Sequence, residues 1–152
     1  MNKVKSNKNY LMEREKGCFY YQKNENLKII NKEILDTLIA KLERRKLRLG
    51  RICIHDGDND IIQAMVIALN SEFLVKKHFH EAPEIIQVLS GTLEINTFDL
   101  ENKKNKILLQ KDDNFIFRIS NNIIHSVKSI EGWCLFLEIA SGPFNNKKTI
   151  YI

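Results

Sequence analysis

The feature that most limits the fold of this chain is a series of ten short apolar or alternating runs after Gly50. Breaks rich in Gly, Asn, Asp and Lys separate them. Runs of four to nine residues are typical of strands, and many short strands at regular spacing predict an all-β sandwich or barrel. The predicted strands cover residues 51–55, 61–69, 73–79, 84–89, 92–98, 106–110, 115–119, 125–130, 133–140 and 149–152.

One helix is predicted before the strands. Five apolar residues recur there at helical spacing, and Asn31 provides an N-cap with Gly50 as a stop. The sequence therefore predicts an amphipathic helix over residues 32–47, with its apolar face formed by Ile34, Leu35, Leu38, Ile39 and Leu42.

The N-terminal third carries the positive charge. Residues 1–50 hold 13 Lys or Arg against 6 Asp or Glu, within a net charge of +5 for the chain. Acidic residues alternate with the basic ones and no aromatic residues interleave, so we expect no nucleic-acid partner. With no apolar leader and no apolar run of about 18 residues, we also expect a cytoplasmic protein without a membrane partner.

Residues 1–27 are interpreted as a polar arm, partly disordered and mobile over residues 1–16, because they offer little to bury. The apolar run 18–21 is predicted to add an edge strand. Residues 28–152 are predicted to form one domain.

The chain has three cysteines, Cys18, Cys53 and Cys134, without a CxxC pair. We expect them to be small buried residues in a reducing compartment, because nothing basic at a helix N-terminus activates them.

Three of the four histidines fall into one pattern with a glutamate. His78 and His80 are two residues apart on a predicted strand, so their side chains lie on the same face. Glu84 follows after a turn, and His125 begins a later strand that can close the site from across the barrel. Imidazole and carboxylate ligands suit Zn, Mn, Fe or Ni and leave open positions on the ion. We therefore expect one divalent metal ion per chain, held by these four residues.

The same residues resemble the cupin superfamily. The spacing from His78 to Gly91 matches the first cupin motif, and His125 stands at the histidine of the second. Three residues of that second motif differ from the usual Gly, Pro and Gly, namely Asn114, Ser120 and Asn122. Asparagine tolerates positive φ better than most residues. The resemblance implies a double-stranded β-helix (cupin barrel) preceded by one N-terminal α-helix, over a metal-binding domain of residues 28–152.

Within the cupins, the chain resembles the WbuC-type cupin-fold metalloproteins of bacterial surface-polysaccharide gene sets. The likeness runs from about residue 29 to 144 and lies in the leading helix, the ligand motif, Arg51-x-Cys53-x-His55, Phe98-Asp99, His125-Ser126, Phe136-Leu137-Glu138 and Gly142-Pro143-Phe144. The resemblance implies a role in surface-polysaccharide biosynthesis, and barrels of this type often form homodimers through their N-terminal strands.

Two further groups are candidates for ligand contacts. Arg51 and His55 share one strand face, which either lines the barrel or faces solvent. The resemblance favours the barrel interior. There, both residues would bind substrate and His55 would also transfer protons. Glu138 lies in a mostly apolar strand. It is expected either to pair with Arg51 or Arg118, or to serve as a catalytic base together with His55.

The expected function is a metal-dependent enzyme, of the isomerase or epimerase kind, acting on a small anionic or sugar-derived molecule. Two alternatives stay open. One is a non-catalytic protein in which the metal anchors a sugar or small acid, and the other is an iron-dependent dioxygenase. One cupin barrel can host all three functions.

Overall fold

The computed structural model describes residues 11–21, 27–144 and 149–152. It contains one helix, α1 (Lys32–Arg44), and each of the ten predicted runs forms a strand. The strands are β1 (Leu11–Glu15), β2 (Cys18–Tyr21), β3 (Leu49–Cys53), β4 (Ile62–Asn70), β5 (Leu74–His80), β6 (Glu84–Ser90), β7 (Thr92–Phe98), β8 (Lys104–Gln110), β9 (Ile116–Ile119), β10 (Ile124–Ser129), β11 (Trp133–Ser141) and β12 (Thr149–Tyr151). Among these residues, no helix is long and apolar enough to cross a membrane.

The strands form two sheets. Sheet A has the order β1-β2-β3-β4-β11-β6-β9, and sheet B has the order β12-β5-β10-β7-β8. Neighbours within each sheet are antiparallel, except that β2 runs parallel to β3. From β4 to β7 and from β8 to β12, each strand lies in the opposite sheet to the strand before it, so the chain repeatedly crosses between the two sheets. This arrangement confirms the predicted all-β architecture.

The inner faces of the two sheets enclose the main core. Alternate residues of sheet A, including Leu69, Val88 and Phe136, pack against Leu93 and Ile95 of sheet B, and all five are buried. Because side chains alternate along a strand, residues an even number of positions from these core residues on the same strand also lie on the interior face. The cross-strand register therefore identifies which polar side chains share that interior.

Helix α1 packs on the outer face of sheet A. Asn31 caps it as predicted, since its side-chain oxygen accepts a hydrogen bond from the Ile34 amide at 3.0 Å. The helix ends at Arg44, earlier than predicted, because Lys46 adopts a positive φ of 55° and the Leu47 amide donates to the Leu42 carbonyl. The apolar face of the helix covers a second buried cluster, which includes Phe19, Leu38, Leu42, Ile52, Ala68 and Leu135.

Gly50 does not stop the helix but lies in β3, beneath it. A Cβ at this position would lie 2.5 Å from one methyl group of Leu42 and 2.7 Å from the other. Glycine therefore allows the helix to approach the sheet closely.

We expect Gly50→Ala to lower the free energy of unfolding by about 1–3 kcal/mol, the usual cost of overpacking a core. Denaturant unfolding at one temperature measures it. Gly57→Ala is the matched control, because its new Cβ would meet only the Arg14 side chain at 4.0 Å; it should change stability by less than about 0.5 kcal/mol. Equal effects of the two substitutions would contradict this account of Gly50.

The N-terminal region differs in part from the sequence interpretation. Residues 11–15, expected within the mobile arm, form β1 and pair with β2. Residues 18–21 form a strand as predicted, but β1 covers its outer side, so β2 is not the edge of sheet A. Residues 1–10 and 22–26, the remainder of the predicted mobile and polar arm, lie outside the described residues.

Candidate metal centre

Three histidines converge inside the barrel from two neighbouring strands of sheet B. His78 and His80 lie on β5, and His125 lies on β10 opposite His78. Each offers one ring nitrogen, and these atoms all lie within 4.8 Å of one another. The three imidazoles are therefore placed to hold one metal ion.

A β-bulge directs His78 inward. Val75 pairs with Val127 and His78 pairs with His125, so β5 has one more residue than β10 between the two pairs. Val75 and His78 are three positions apart, so strict alternation without a bulge would put them on opposite faces of β5. The bulge thus allows Val75 to pack in the core while His78 reaches the site, a common use of bulges near functional sites.

Each histidine contacts a second group through Nδ1. This nitrogen lies 2.7 Å from the Lys76 carbonyl in His78, 2.9 Å from the Ile123 carbonyl in His125, and 3.1 Å from the Thr149 hydroxyl in His80. A carbonyl can only accept, so Nδ1 of His78 and His125 carries the proton. Nε2 is then the nitrogen with a lone pair, as in most metal-binding histidines.

Glu84 reaches the same point from sheet A. Its Oε1 lies 3.0 Å from Nε2 of His125, and its Oε2 lies 3.4 Å from Nε2 of His80. Among the described residues, no donor makes a well-aligned hydrogen bond to the buried Oε1. Two lone pairs facing each other at this distance need a cation between them, either a proton or a metal ion. The residues present therefore fit a divalent metal bound by three imidazoles and one carboxylate.

The electrostatics of the site keep its groups ready to bind a cation. Burial, and next the nearby His125, lower the pKa of His78 to about 4. Burial raises the pKa of Glu84, but the close contacts with the imidazoles of His125, His80 and His78 outweigh it, so the pKa lies below its usual value. His78 is thus neutral and Glu84 ionised near neutral pH, which are the protonation states that bind metals.

Two turns near the site contain asparagines in the left-handed conformation. Asn114 and Asn122 have positive φ values of 48° and 62°, so asparagine takes the left-handed conformation where the family usually has glycine. The Asn122 amide also donates to the His80 carbonyl at 2.7 Å. This contact joins the turn before β10 to β5 and thereby sets His125 beside His80.

Arg51 and His55 lie on the interior side of sheet A. Arg51 pairs with Ile67, which packs on the main core, and His55 continues the same parity beyond β3. β3 is three strands from β6, which carries Glu84, so both residues lie well to one side of the histidine cluster. Arg51 is half-exposed, whereas His55 is buried. Their assignment to substrate remains a prediction.

The ring of His55 is held by the backbone. Its Nδ1 lies 2.9 Å from the Ala64 carbonyl oxygen and 3.1 Å from the Ala64 amide nitrogen, so one of these contacts is a hydrogen bond in either tautomer. Burial lowers its pKa. His55 is therefore a neutral imidazole near pH 7.

Glu138 lies on the interior face, diagonal to Glu84. It pairs with Ile86 on β6, and Ala140 pairs with Glu84. Burial, reinforced by the charge of Glu84, raises the pKa of Glu138 to about 8, although Arg51 partly opposes the shift. Arg118 is excluded as its partner, because it pairs with Ile85 on the outer face and donates to the Ser120 hydroxyl.

Sequence reasoning missed several groups that face these residues. Thr149 of β12 contacts the ring of His80, and Tyr151 contacts the ring of His78. The one sequence feature that could have indicated these contacts is that both pairs of residues are two positions apart on predicted strands. Tyr20 packs edge-on against His55. The three cysteines are buried as expected, but a basic group on a strand was missed, because Nε of Arg51 on β3 donates to Sγ of Cys18 at 3.1 Å. Parallel pairing of β2 with β3, which the sequence did not reveal, causes this contact.

Solved structures with similar folds are oxalate decarboxylases. One from Bacillus subtilis has a TM-score of 0.54 at 16% identity, covering 62% of this chain and 24% of that one. A second B. subtilis structure, described with Mn(II) centres, has a TM-score of 0.53 at 17% identity over 61% and 24% of the two chains. A Lactobacillus farciminis formate complex has a TM-score of 0.51 at 18% identity over 62% and 28%. The chain thus spans about a quarter of the length of these neighbours, and the likeness shows that its fold is a cupin fold.

None of the curated proteins matches the sequence. One family model does match, over residues 30–109, which is just over half of the chain and includes α1, Arg51, His55 and three of the four candidate ligands. The chain therefore belongs to the family described as Domain of unknown function (DUF6016).

Proposed function

We propose that this protein is a metal-dependent enzyme that acts on a small anionic or sugar-derived molecule by moving a proton, as isomerases and epimerases do. The single observation that carries the proposal is an interior carboxyl with a raised pKa, Glu138, on the strand beside a carboxylate and three histidines that fit a divalent metal. The metal, whether Zn, Mn, Fe or Ni, would supply a Lewis acid that polarises an oxygen of the ligand.

The ligands of that metal would be His78, His80, Glu84 and His125. Four protein ligands leave positions open on an octahedral ion. A molecule that enters the barrel can then reach both the metal and the interior face of sheet A.

Glu138 is suited to proton transfer. A general acid or base works best with a pKa near the operating pH, and burial brings this carboxyl to about 8. Its diagonal position relative to Glu84 places it one strand away from the metal centre.

Arg51 and His55 are proposed to bind the substrate. Arg51 offers planar donors to a carboxylate or phosphate, and its half-exposed side chain is open to a ligand. His55, held neutral by burial, offers Nε2 to a ligand as a donor or an acceptor, according to its tautomer. Oxalate, the substrate named for the similar solved structures, is also a small anion, which supports this ligand class.

The finer parts of the proposal rest on the WbuC-type resemblance. These are membership of that group, a role in surface-polysaccharide biosynthesis, a cytoplasmic location and a homodimer. Among the residues that carry the resemblance, Arg51, Cys53, Phe136 and Glu138 lie on the interior face of sheet A, and the ligand motif with His125 forms the candidate metal centre. A sugar-derived acid or sugar phosphate is the ligand class that fits both the resemblance and the arginine.

The test is a deuterium wash-in experiment. Metal-loaded protein is mixed with a panel of sugar acids, sugar phosphates and nucleotide sugars in D2O, and the ligands are followed by proton NMR. We expect one ligand to lose a carbon-bound proton signal, and Glu138→Gln to abolish the loss. Arg51→Ala should leave metal content intact and weaken binding about 10- to 100-fold, the cost of one charge-assisted hydrogen bond.

The other outcomes separate the alternatives. A ligand that binds through the metal but exchanges no proton and emerges unchanged would identify a binding protein instead. Consumption of dissolved oxygen by the iron-loaded protein with a ligand would identify a dioxygenase. Exchange that is unaffected by Glu138→Gln would remove Glu138 from the proposal.

A further inference from the structure

Two of the three cysteines meet at one end of the interior face of sheet A, beside Arg51. Cys18 lies on β2 and Cys53 on β3, and their Sγ atoms are 3.6 Å apart. Both are almost fully buried. Cys134, on β11, is the third described cysteine and also has a free thiol.

The surroundings make the two thiols unequal. Nε of Arg51 donates a hydrogen bond to Sγ of Cys18, and the second thiol lies within contact distance of the same sulfur. The contact with Cys53 and the guanidinium lower the pKa of Cys18 to about 6 against the opposing effect of burial. The contact with Cys18 and burial raise the pKa of Cys53. Cys18 is thus the more acidic thiol of the pair and the one that ionises first. A low-pKa thiol beside a second thiol is the arrangement found in redox-sensing cysteines.

We propose that Cys18 and Cys53 form a reversible redox pair, in which a peroxide oxidises Cys18 and Cys53 closes a disulfide bond with it. The pair is a modification site separate from the metal centre, and it does not depend on the proposed enzymatic function.

The chemistry balances with one molecule of hydrogen peroxide. The Cys18 thiolate attacks one peroxide oxygen, the O–O bond breaks, and the departing hydroxide takes a proton from solvent to become water. Cys18 is now a sulfenic acid. The sulfur of Cys53 then attacks the sulfur of Cys18, the S–O bond breaks, and the hydroxyl leaves with the proton of Cys53 as a second water. The two sulfurs lose two electrons, the peroxide gains them, and a dithiol reductant reverses the change.

Closing the bond requires the β1–β2 hairpin to move. A disulfide has an S–S length of about 2.05 Å, so the sulfurs must approach by about 1.5 Å. Cys18 pairs with Arg51 and Cys53 pairs with Tyr20, so the cysteines are diagonal neighbours rather than opposite ones. The hairpin lies at the edge of sheet A, and three residue pairs attach it to β3. Because β2 is joined to the rest of sheet A only along β3, a local opening of the hairpin exposes Cys18 to the oxidant without separating the other strands.

Oxidation would change the partner of Arg51. In the reduced protein its Nε donates to Cys18. A disulfide sulfur carries no negative charge and accepts hydrogen bonds weakly. The guanidinium would therefore lose its closest anionic partner and become available to another anion.

The test uses the full chain, reduced and then treated with one equivalent of hydrogen peroxide. Free thiols are alkylated under denaturing conditions, and intact and peptide masses are recorded. We expect three alkylated thiols before oxidation and only Cys134 afterwards, with a Cys18–Cys53 cross-link that dithiothreitol removes. Cys134→Ser should still form the cross-link. Cys53→Ser should stop at a sulfenic acid on Cys18, which dimedone traps.

Arg51→Ala tests the activation of Cys18 separately. Loss of the guanidinium should move the pH profile of Cys18 alkylation about one pH unit higher, which slows the reaction about 10-fold at pH values below both midpoints and only about two-fold at pH 7. A purely structural role for Arg51 would leave this profile unmoved. Three alkylatable thiols after peroxide treatment, a cross-link through Cys134 or an unshifted profile in Arg51→Ala would each overturn the proposal.

Discussion

Replacing His125 with alanine should abolish metal binding. His125 is the most deeply buried of the three histidines, lies opposite His78 and contacts Glu84 through Nε2. Loss of one of four ligands should weaken affinity for a divalent ion by more than the 10- to 100-fold that loss of an outer-shell partner typically costs. Elemental analysis of protein purified without a metal-affinity tag should give about one ion per wild-type chain and almost none in the variant.

His55→Ala is the control for this experiment. It also removes a buried imidazole from the interior face, but His55 is bound to the Ala64 backbone and lies outside the histidine cluster. Its metal content should equal that of the wild type. If wild-type protein took up no Fe, Mn, Ni or Zn, or if both variants lost metal equally, the four-ligand centre would be wrong.

The Glu138→Gln variant should gain stability relative to the wild type as the pH rises. In the metal-free folded protein the pKa of Glu138 is about 8, whereas an unfolded glutamate titrates near 4.5. Between these values the folded state holds a proton that the unfolded state has released, so wild-type stability falls as the pH increases. The full slope for one group is about 1.4 kcal/mol per pH unit. Glutamine resembles the protonated carboxyl and does not titrate, so the difference should grow from pH 5 to pH 8 and then level off.

Urea unfolding of chelator-treated protein at several pH values measures this difference. Glu131→Gln is the matched control, because Glu131 is exposed on the turn before β11 and should show no such trend. Adding a divalent metal should reduce the effect, since a nearby cation favours the ionised carboxyl. A difference that stayed constant with pH would mean that Glu138 is ionised in the folded protein.

Periodicity and turn residues were sufficient to predict most of the fold. Strands such as β7, with buried Leu93 and Ile95 beside outward-facing Glu94 and Asn96, alternate strongly enough to locate them within a residue or two. The helix was located by its apolar spacing and by Asn31, but its end depended on the positive φ of Lys46, which the sequence does not signal. Local preferences thus determine where elements lie, whereas their last residues depend on tertiary contacts.

The candidate site was only partly predictable, for two physical reasons. The three histidines share a face through the short-range alternation of β5 and the turn before β10, and such local relationships can be predicted from spacing. The contact between Cys18 and Arg51, however, depends on which strands pair and in which direction. The bulge in β5 also changes parity between Val75 and His78, so strict alternation along the whole strand would have given the wrong face to one of them.

The contact between Thr149 and His80 couples the last strand to the metal centre. β12 is attached to sheet B only along β5, and its threonine hydroxyl lies 3.1 Å from the ring nitrogen that orients His80. Thermodynamic reciprocity requires that whatever free energy this strand gives to metal affinity, a bound metal returns to the docking of the strand. Removal of the metal with a chelator should then weaken the docking of residues 149–151 on β5. A protein that binds this segment in place of β5 should in turn lower the affinity of the site for the metal.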